Sequence, residues 1–406
     1  MRFLICSLDS PGFLFPALNI VQRLRERGHA VAVVTNMTVE DAVKQDGVER
    51  IPRGEEDGPS FQVGTWAQPI PVAIQVKHIE YALARFQPDV LIGQPLTLSV
   101  HIVRERHKVP AAVIGLATYL WPSSATLTPE TARSRREHDL IWRYGDMLQH
   151  YNEARALFRL PPCDAPPERN PFLGDLFLLQ SVPELAIEAA DLPGQVHFVG
   201  SCLWEPQAVD AGLADWLTEG GEATLPLLYV QPSRNFQSPR FWSNFIAALA
   251  ERPVRVAASV GRLDGAVGEM PAGSWVRPFV SQAQVLPRAQ AVVASGTTTA
   301  LLGALTHGLP SLLLPAGGEQ LEVAAHCEHA GVGVSLPPDA DAPTIAEYVE
   351  RILADTALQE SARHLQRAFA HIDGPGTAAR LLEQLAVDRR PVMHVVPELP
   401  ASVSRI

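Results

Sequence analysis

An apolar run, Ala291-Val292-Val293-Ala294, leads into Ser295-Gly296-Thr297-Thr298-Thr299 and then into the apolar segment Ala300–Leu305. A buried strand that ends in a glycine turn at a helix start presents free backbone N–H groups and the positive end of a helix dipole. With the hydroxyls as further donors, such a turn suits an anion such as phosphate. Serine and threonine also cap helices that bind nothing, so the pattern alone leaves a plain cap open. His326, Cys327 and His329 lie close in sequence, yet neighbouring positions on a helix diverge, and the three read as a solvated helix face rather than a metal site. His101, His107 and His138 are single histidines in helical segments. Trp66, Tyr119, Trp121, Trp142 and Tyr144 cluster in the first half, where they suit either an apolar pocket or an ordinary core.

The elements that must position these residues alternate between strand and helix. Arg2–Leu8 reads as a strand, with a turn at Asp9-Ser10-Pro11-Gly12 and a helix that has Pro16 in its first turn and ends at Gly28. Ala30–Thr35 is a continuous apolar run, the signature of a parallel strand covered on both faces. The alternation continues through strands at 89–93, 110–116 and 176–181, helices at 72–86 and 98–107, and a long helical region at 130–160. A similar set runs from Leu225 to His371. The chain therefore reads as α/β, with two doubly wound halves facing across a cleft: 1–199, a linker at 200–218, 219–385, and a tail at 386–406 with no assigned place.

Composition narrows the function. The 406 residues carry 33 Lys+Arg against 44 Asp+Glu, a net charge of −11, which argues against a nucleic-acid binder. Hydrophobic residues make up 47%, enough for extended cores. The four cysteines form no close pair, so neither a disulfide framework nor a zinc knuckle is indicated. No apolar run reaches the roughly 18 residues of a spanning helix, and the apolar N-terminus is cut short by Asp9. A reduced, soluble, cytoplasmic protein is expected.

Read in order, Trp275-Val276-Arg277-Pro278-Phe279-Val280-Ser281-Gln282, Ala294-Ser295-Gly296, Gly308-Leu309-Pro310 and Glu319-Gln320 resemble the nucleotide-sugar region of UDP-glycosyltransferase-like enzymes of the GT-B fold, bacterial natural-product type. The N-terminal turn, Tyr151–Arg155 with Leu160-Pro161-Pro162, and Val199-Gly200 before Trp204 extend the resemblance over nearly all of 1–385. It implies a UDP- or dTDP-sugar donor and an apolar small-molecule acceptor, with inversion and no metal or further cofactor. It leaves a homodimer open. Phe279 then takes the place of the aromatic that stacks on the base, and Gln282 that of the base- or ribose-binding glutamine. Ser295, Gly296, Thr297, Thr298 and Thr299 would hold the diphosphate, with Ser233 as a lesser phosphate contact. Glu319 and Gln320 would hold the donor sugar. Phe13, Phe15, Trp66, Trp121 and Trp142 are the expected acceptor pocket.

Three departures from the family pattern matter. The histidine of the diphosphate turn is Ser295, the ribose glutamate falls at Gly303, and the catalytic histidine is Phe13. Asp9 and His101 are the weak candidates for a replacement base. The alternative is an acceptor that arrives already ionised, a carboxylate or acidic phenol, giving an ester-linked or phenolic glycoside. Two other readings are a nucleotide-sugar epimerase or hydrolase of the same fold, and a catalytically silent homologue that serves a partner enzyme.

Overall fold

The structure, a computed structural model, describes residues 1–394 except 46, 125, 207–209, 220–224, 234–235 and 262–266. The first half contains β1 (Arg2–Cys6), α1 (Pro11–Glu26), β2 (Ala30–Val34), α2 (Glu40–Gln45), β3 (Glu49–Arg50), α3 (Pro69–Phe86), β4 (Val90–Gly93), α4 (Leu98–His107), β5 (Ala111–Ile114), α5 (Arg135–Ala156), β6 (Leu176–Leu179) and β7 (Val196–Phe198). The second contains α6 (Ala211–Glu219), β8 (Leu227–Gln231), α7 (Phe241–Leu249), β9 (Arg255–Ser259), β10 (Trp275–Arg277), α8 (Gln282–Val285), β11 (Ala291–Ala294), α9 (Thr298–Thr306), β12 (Ser311–Leu313), α10 (Gln320–His329), β13 (Gly333–Ser335), α11 (Ala342–Ala354) and α12 (Thr356–Ala370), and α13 (Gly374–Asp388) closes the helical order. No helix among the described residues is long and apolar enough to cross a membrane.

Strands β4, β5, β6 and β11 are buried at every position, which explains their unbroken apolar sequences. They lie in two parallel sheets, ordered β3-β2-β1-β4-β5-β6-β7 and β10-β9-β8-β11-β12-β13. In each, the strand order reverses beside the half's first strand, between β1 and β4 and between β8 and β11. Ligands of such sheets bind beyond the strand ends at that reversal.

Three boundaries differ from the sequence reading. α1 begins at Pro11, so Phe13 and Phe15 stand on the helix, and Pro16 lies inside it, where it cannot donate to the carbonyl of Gly12. α5 begins at Arg135 rather than 130, because Ser134 and Glu137 form a reciprocal cap: Ser134 Oγ accepts from Glu137 N at 3.2 Å, and the Glu137 carboxylate accepts from Ser134 N at 2.9 Å. The linker is shorter than 200–218, since Leu213 and Leu217 of α6 are buried in the second half's core.

The largest difference is α13. Chain order assigned its residues to the second half and the tail, but Ala378, Ala379, Leu382 and Leu385 pack with Leu14, Leu18 and Val21 of α1 under the first sheet. Asp373 caps it by accepting from Gly376 N at 3.2 Å. A Cβ on Gly374 would stand 2.1 Å from the carbonyl oxygen of Ser201, so glycine is required where the returning chain crosses the outgoing one. Beyond α13, Val392 N donates to Asp175 O at 2.9 Å and His394 N to Gly194 O at 2.8 Å, which seats the start of the tail on the first half.

The halves also meet along a buried polar seam. Arg136 of α5 donates to Glu322 of α10 at 2.6 and 2.9 Å and to Glu188 at 3.1 Å. His326 Nε2 completes it at 3.0 Å from Glu322. His326 is therefore buried at this joint and Cys327 in the core behind it, and the expected solvated helix face is reduced to the exposed His329.

Candidate active site

Both strand-order reversals face one cleft of about 1250 Å³ between the halves. In the second half, Ser295 Oγ accepts from Ser233 N at 3.0 Å and ties the loop after β8 to the loop after β11. Gly296 has φ +89°, and a Cβ there would lie 3.1 Å from Gln320 O, so the turn needs glycine twice over. Thr297 occupies the N-cap of α9 with no side-chain bond to the helix. The simple capping role is thus not what this threonine does, and the helix start faces the cleft. Thr297, Thr298 and Thr299 all line it, although Thr298 Oγ1 also accepts from Ala117 N at 3.2 Å across the interface.

Phe279 is 43% exposed and lines the cleft with Gln282 and Ser233. Gln282 Nε2 donates to Gln231 Oε1 at 2.5 Å, and the Tyr229 hydroxyl stands 3.2 Å from the same oxygen. The departure at Gly303 has a structural reason. A Cβ there would sit 2.2 Å from Gln282 Oε1, so the glycine makes room for the amide. Glu319 lines the cleft, and burial raises its carboxyl above the ordinary range.

Three expected contacts lie elsewhere: Gly296 is buried in its turn and outside the cleft lining, as are two side chains. Ser295 and Gln320 are fully buried and outside the cleft lining. Gln320 Oε1 accepts from Ala316 N at 2.8 Å and its Nε2 donates to Phe236 O at 3.3 Å, so its amide shapes the loop rather than facing a ligand.

In the first half, Phe13, Phe15, Trp66 and Trp142 line the cleft. Trp121 does not: its indole is buried edge-on against Tyr119 and Phe177, with Nε1 3.2 Å from Met147 Sδ. Neither candidate base reaches the cleft lining. Asp9 is occupied in accepting from Asn36 Nδ2 at 2.7 Å and Val63 N at 2.8 Å. His101 is 2% exposed, packed edge-on to Tyr151 and Phe172, with no hydrogen-bond partner for either nitrogen. Burial pushes it down to about 3, so it is neutral and secluded.

The cleft also holds groups that sequence reasoning missed: Asp139 and Arg143 on α5, Glu205 in the linker, and His307 after α9. Spacing gave a signal only for the first two, four apart on one helix face. Glu205 accepts from Ser281 Oγ, Gln282 N and Ala283 N at 2.9, 2.8 and 3.1 Å, so its carboxylate caps α8 beneath Phe279. No group of three or more His, Cys, Asp or Glu among the described residues is arranged to hold a metal ion.

Residues 255–385 match the family model described as the erythromycin biosynthesis protein CIII-like, C-terminal domain. The chain is 26% identical, over 421 aligned residues, to the 4′-demethylrebeccamycin synthase of Lentzea aerocolonigenes, covering 95% of this chain and 99% of that protein. Its fold is similar to that of the calicheamicin glycosyltransferase, with a TM-score of 0.70 at 22% identity over 96% and 98% of the two chains. It is also similar to the spinosyn rhamnosyltransferase complexed with thymidine diphosphate, with a TM-score of 0.68 at 19% identity over 94% and 100%. Two reversed-order parallel sheets, one cleft between them and these likenesses show that the chain has the GT-B fold of the natural-product glycosyltransferases it resembles.

Proposed function

We propose that the protein transfers a sugar from a UDP or dTDP carrier to an apolar small molecule, inverting the anomeric carbon and using no metal. The observation that carries this reading is the cleft itself, which sets Phe279, Gln282, Thr297 and Thr299 of one half against Phe13, Phe15, Trp66 and Trp142 of the other. Phe279 stacks on the base. The open N-terminus of α9, with its threonine hydroxyls, stabilises the diphosphate as it departs, a task that fixed dipoles perform without a cation. Glu319 receives the sugar hydroxyls, and attack from the face opposite the diphosphate inverts the configuration.

The ribose site favours neither charge nor a 2′-hydroxyl. With Gly303 in place of a carboxylate and the neutral amides of Gln282 and Gln231 behind it, position 303 offers a 2′-hydroxyl no charge-assisted partner, a loss of about 1.5–3 kcal/mol for a ribonucleotide. A deoxyribose loses nothing there, and a thymidine diphosphate is the ligand in the spinosyn rhamnosyltransferase complex. Calorimetric titration of UDP and dTDP into the wild type and Gln282→Ala tests the reading. Binding of at least one nucleotide, weakened by the substitution, is expected; binding of neither to the wild type sinks it. A large preference for UDP would mean that another residue holds the ribose.

A further inference from the structure

Neither Asp9 nor His101 lines the cleft beside Phe13, but two cations of α5 do, the exposed Arg135 and Arg143. Arg143 lines the cleft and is half-buried. Its Nη1 donates to Leu120 O at 3.3 Å and its Nη2 to Gly318 O at 3.0 Å, both neutral carbonyls. The carboxylates around it are Glu322, Asp139 and Glu319, and they act on it only at a distance, while burial holds the guanidinium below its ordinary value. Each of the three is otherwise accounted for. Glu322 is bonded by Arg136 and His326, Asp139 lies 3.9 Å from Arg135 on the same helix, and Glu319 is half-buried with its carboxyl raised. A guanidinium has five N–H donors, so three remain available in a setting that penalises an uncompensated charge.

Its position says what would compensate it. Leu120 belongs to the apolar wall of the first half, and Gly318 directly precedes Glu319, the proposed sugar contact of the second. The guanidinium therefore bridges the two walls of the cleft, which Trp142 and Leu321 also line. We propose that Arg143 receives the attacking oxygen of the acceptor as an anion, so that the acceptor is a small apolar molecule bearing a carboxylate or an acidic phenol. The inference rests on the glycosyl-transfer reading and names the acceptor class for that same cleft. A nearby cation favours the ionised form of such a group. The oxygen's electron pair forms the bond to the anomeric carbon as the bond from that carbon to the diphosphate oxygen breaks. The nucleoside diphosphate leaves with the second electron pair, and negative charge passes from acceptor to leaving group. No proton has to be removed in the step, so the roughly 10²–10⁴-fold that a general base supplies to a neutral alcohol is not required.

The test uses three acceptors on one aromatic skeleton: the carboxylic acid, an acidic phenol and the primary alcohol. Each is offered to the full-length chain with whichever nucleotide sugar it binds, and products are followed by mass spectrometry. The wild type is expected to favour acid and phenol over alcohol by at least about 100-fold in kcat/KM. Arg143→Met should shrink that preference to under about 10-fold, and Arg143→Lys should recover part of it. Circular dichroism and the nucleotide titration, both unchanged in the two variants, separate this from unfolding or loss of the donor site. A wild type that uses the alcohol as well as the acid overturns the proposal, as does an Arg143→Met that lowers all three acceptors equally. Loss of alcohol turnover in Asp139→Asn would also overturn it, by identifying a conventional base. Failure of the wild type to bind any nucleotide would instead strike the glycosyl-transfer reading itself.

Discussion

The two halves share a strand order but finish their reversal points in opposite ways. In the first, Gln94 closes the gap between the loops after β1 and β4. Its Oε1 accepts from Leu8 N at 2.9 Å, and its Nε2 donates to Ser7 Oγ at 2.9 Å and Phe13 O at 2.8 Å. In the second, the loops are tied behind the site by Ser233 and Ser295, and the start of α9 stays open. The same topology thus produces a sealed reversal, faced with aromatic side chains, and an open one, faced with backbone. A strand-order reversal is an opportunity for binding; whether it becomes a site depends on which side chains consume its polar groups.

The largest test of that contrast bears on the joint that holds the two faces opposite each other. Arg136→Met should destabilise the protein by about 3 kcal/mol, because it strands the carboxylate of Glu322, which is only 3% exposed. Adding Glu322→Gln should return part of the loss in denaturant titrations. Next, Gly296→Ala and Gln94→Ala disturb the open and the sealed reversal respectively. Each should cost about 1–3 kcal/mol, the first through backbone strain and the second through buried groups left unpaired. Only Gly296→Ala should weaken nucleotide binding, and equal effects on binding would erase the distinction drawn between the halves.

Side-chain truncations should act more gently and divide cleanly. Phe279→Ala is expected to weaken nucleotide binding roughly tenfold through lost stacking, leaving the acceptor KM in place. Trp142→Ala should do the reverse, since Trp142 is 66% exposed on the opposite wall. At neutral pH the smallest effect concerns His101, whose contribution shows only in acid. It is neutral in the fold, with its pKa lowered to about 3, and charges near 6.5 once unfolded. Stability is then full above about pH 6.5 and falls as the pH drops towards 3, by up to about 1.4 kcal/mol per pH unit. His101→Phe should flatten that part of the stability curve and leave turnover intact; lost turnover would return His101 to the list of bases.

The contrast also explains what the sequence could reveal. The second half's site is written in contiguous residues, because a glycine turn and a helix start are local features, and Ser295–Thr299 could be read as an anion turn from spacing alone. Ser295 and Gln320 turn away from the cleft lining because a polar side chain beside a loop serves ligand and loop equally well on paper. The first half's face is assembled from α1, the 63–66 turn, α5 and the linker, and no local pattern distinguishes Trp142, which faces the cleft, from Trp121, which fills the core. Asp9 follows from proximity in sequence and His101 from its place at the end of the other cleft-facing loop, whereas Arg135, Asp139 and Arg143, which do line the cleft, come from a helix more than a hundred residues from Asp9. The return of α13 was equally hard to see, since its apolar face resembles that of any helix until the partner surface is known.

That returning helix bears on how such proteins can be recombined. A cut at the linker would look like a clean separation of donor and acceptor recognition, yet the last helix of the second half is a structural part of the first. A chimera joined there would ask a foreign α13 to fit the underside of α1, against Leu14, Leu18 and Val21, and to pass Gly374 beneath Ser201. Exchange of the second half therefore needs two junctions, one in the linker and one between α12 and α13, with the closing helix kept beside the sheet it covers.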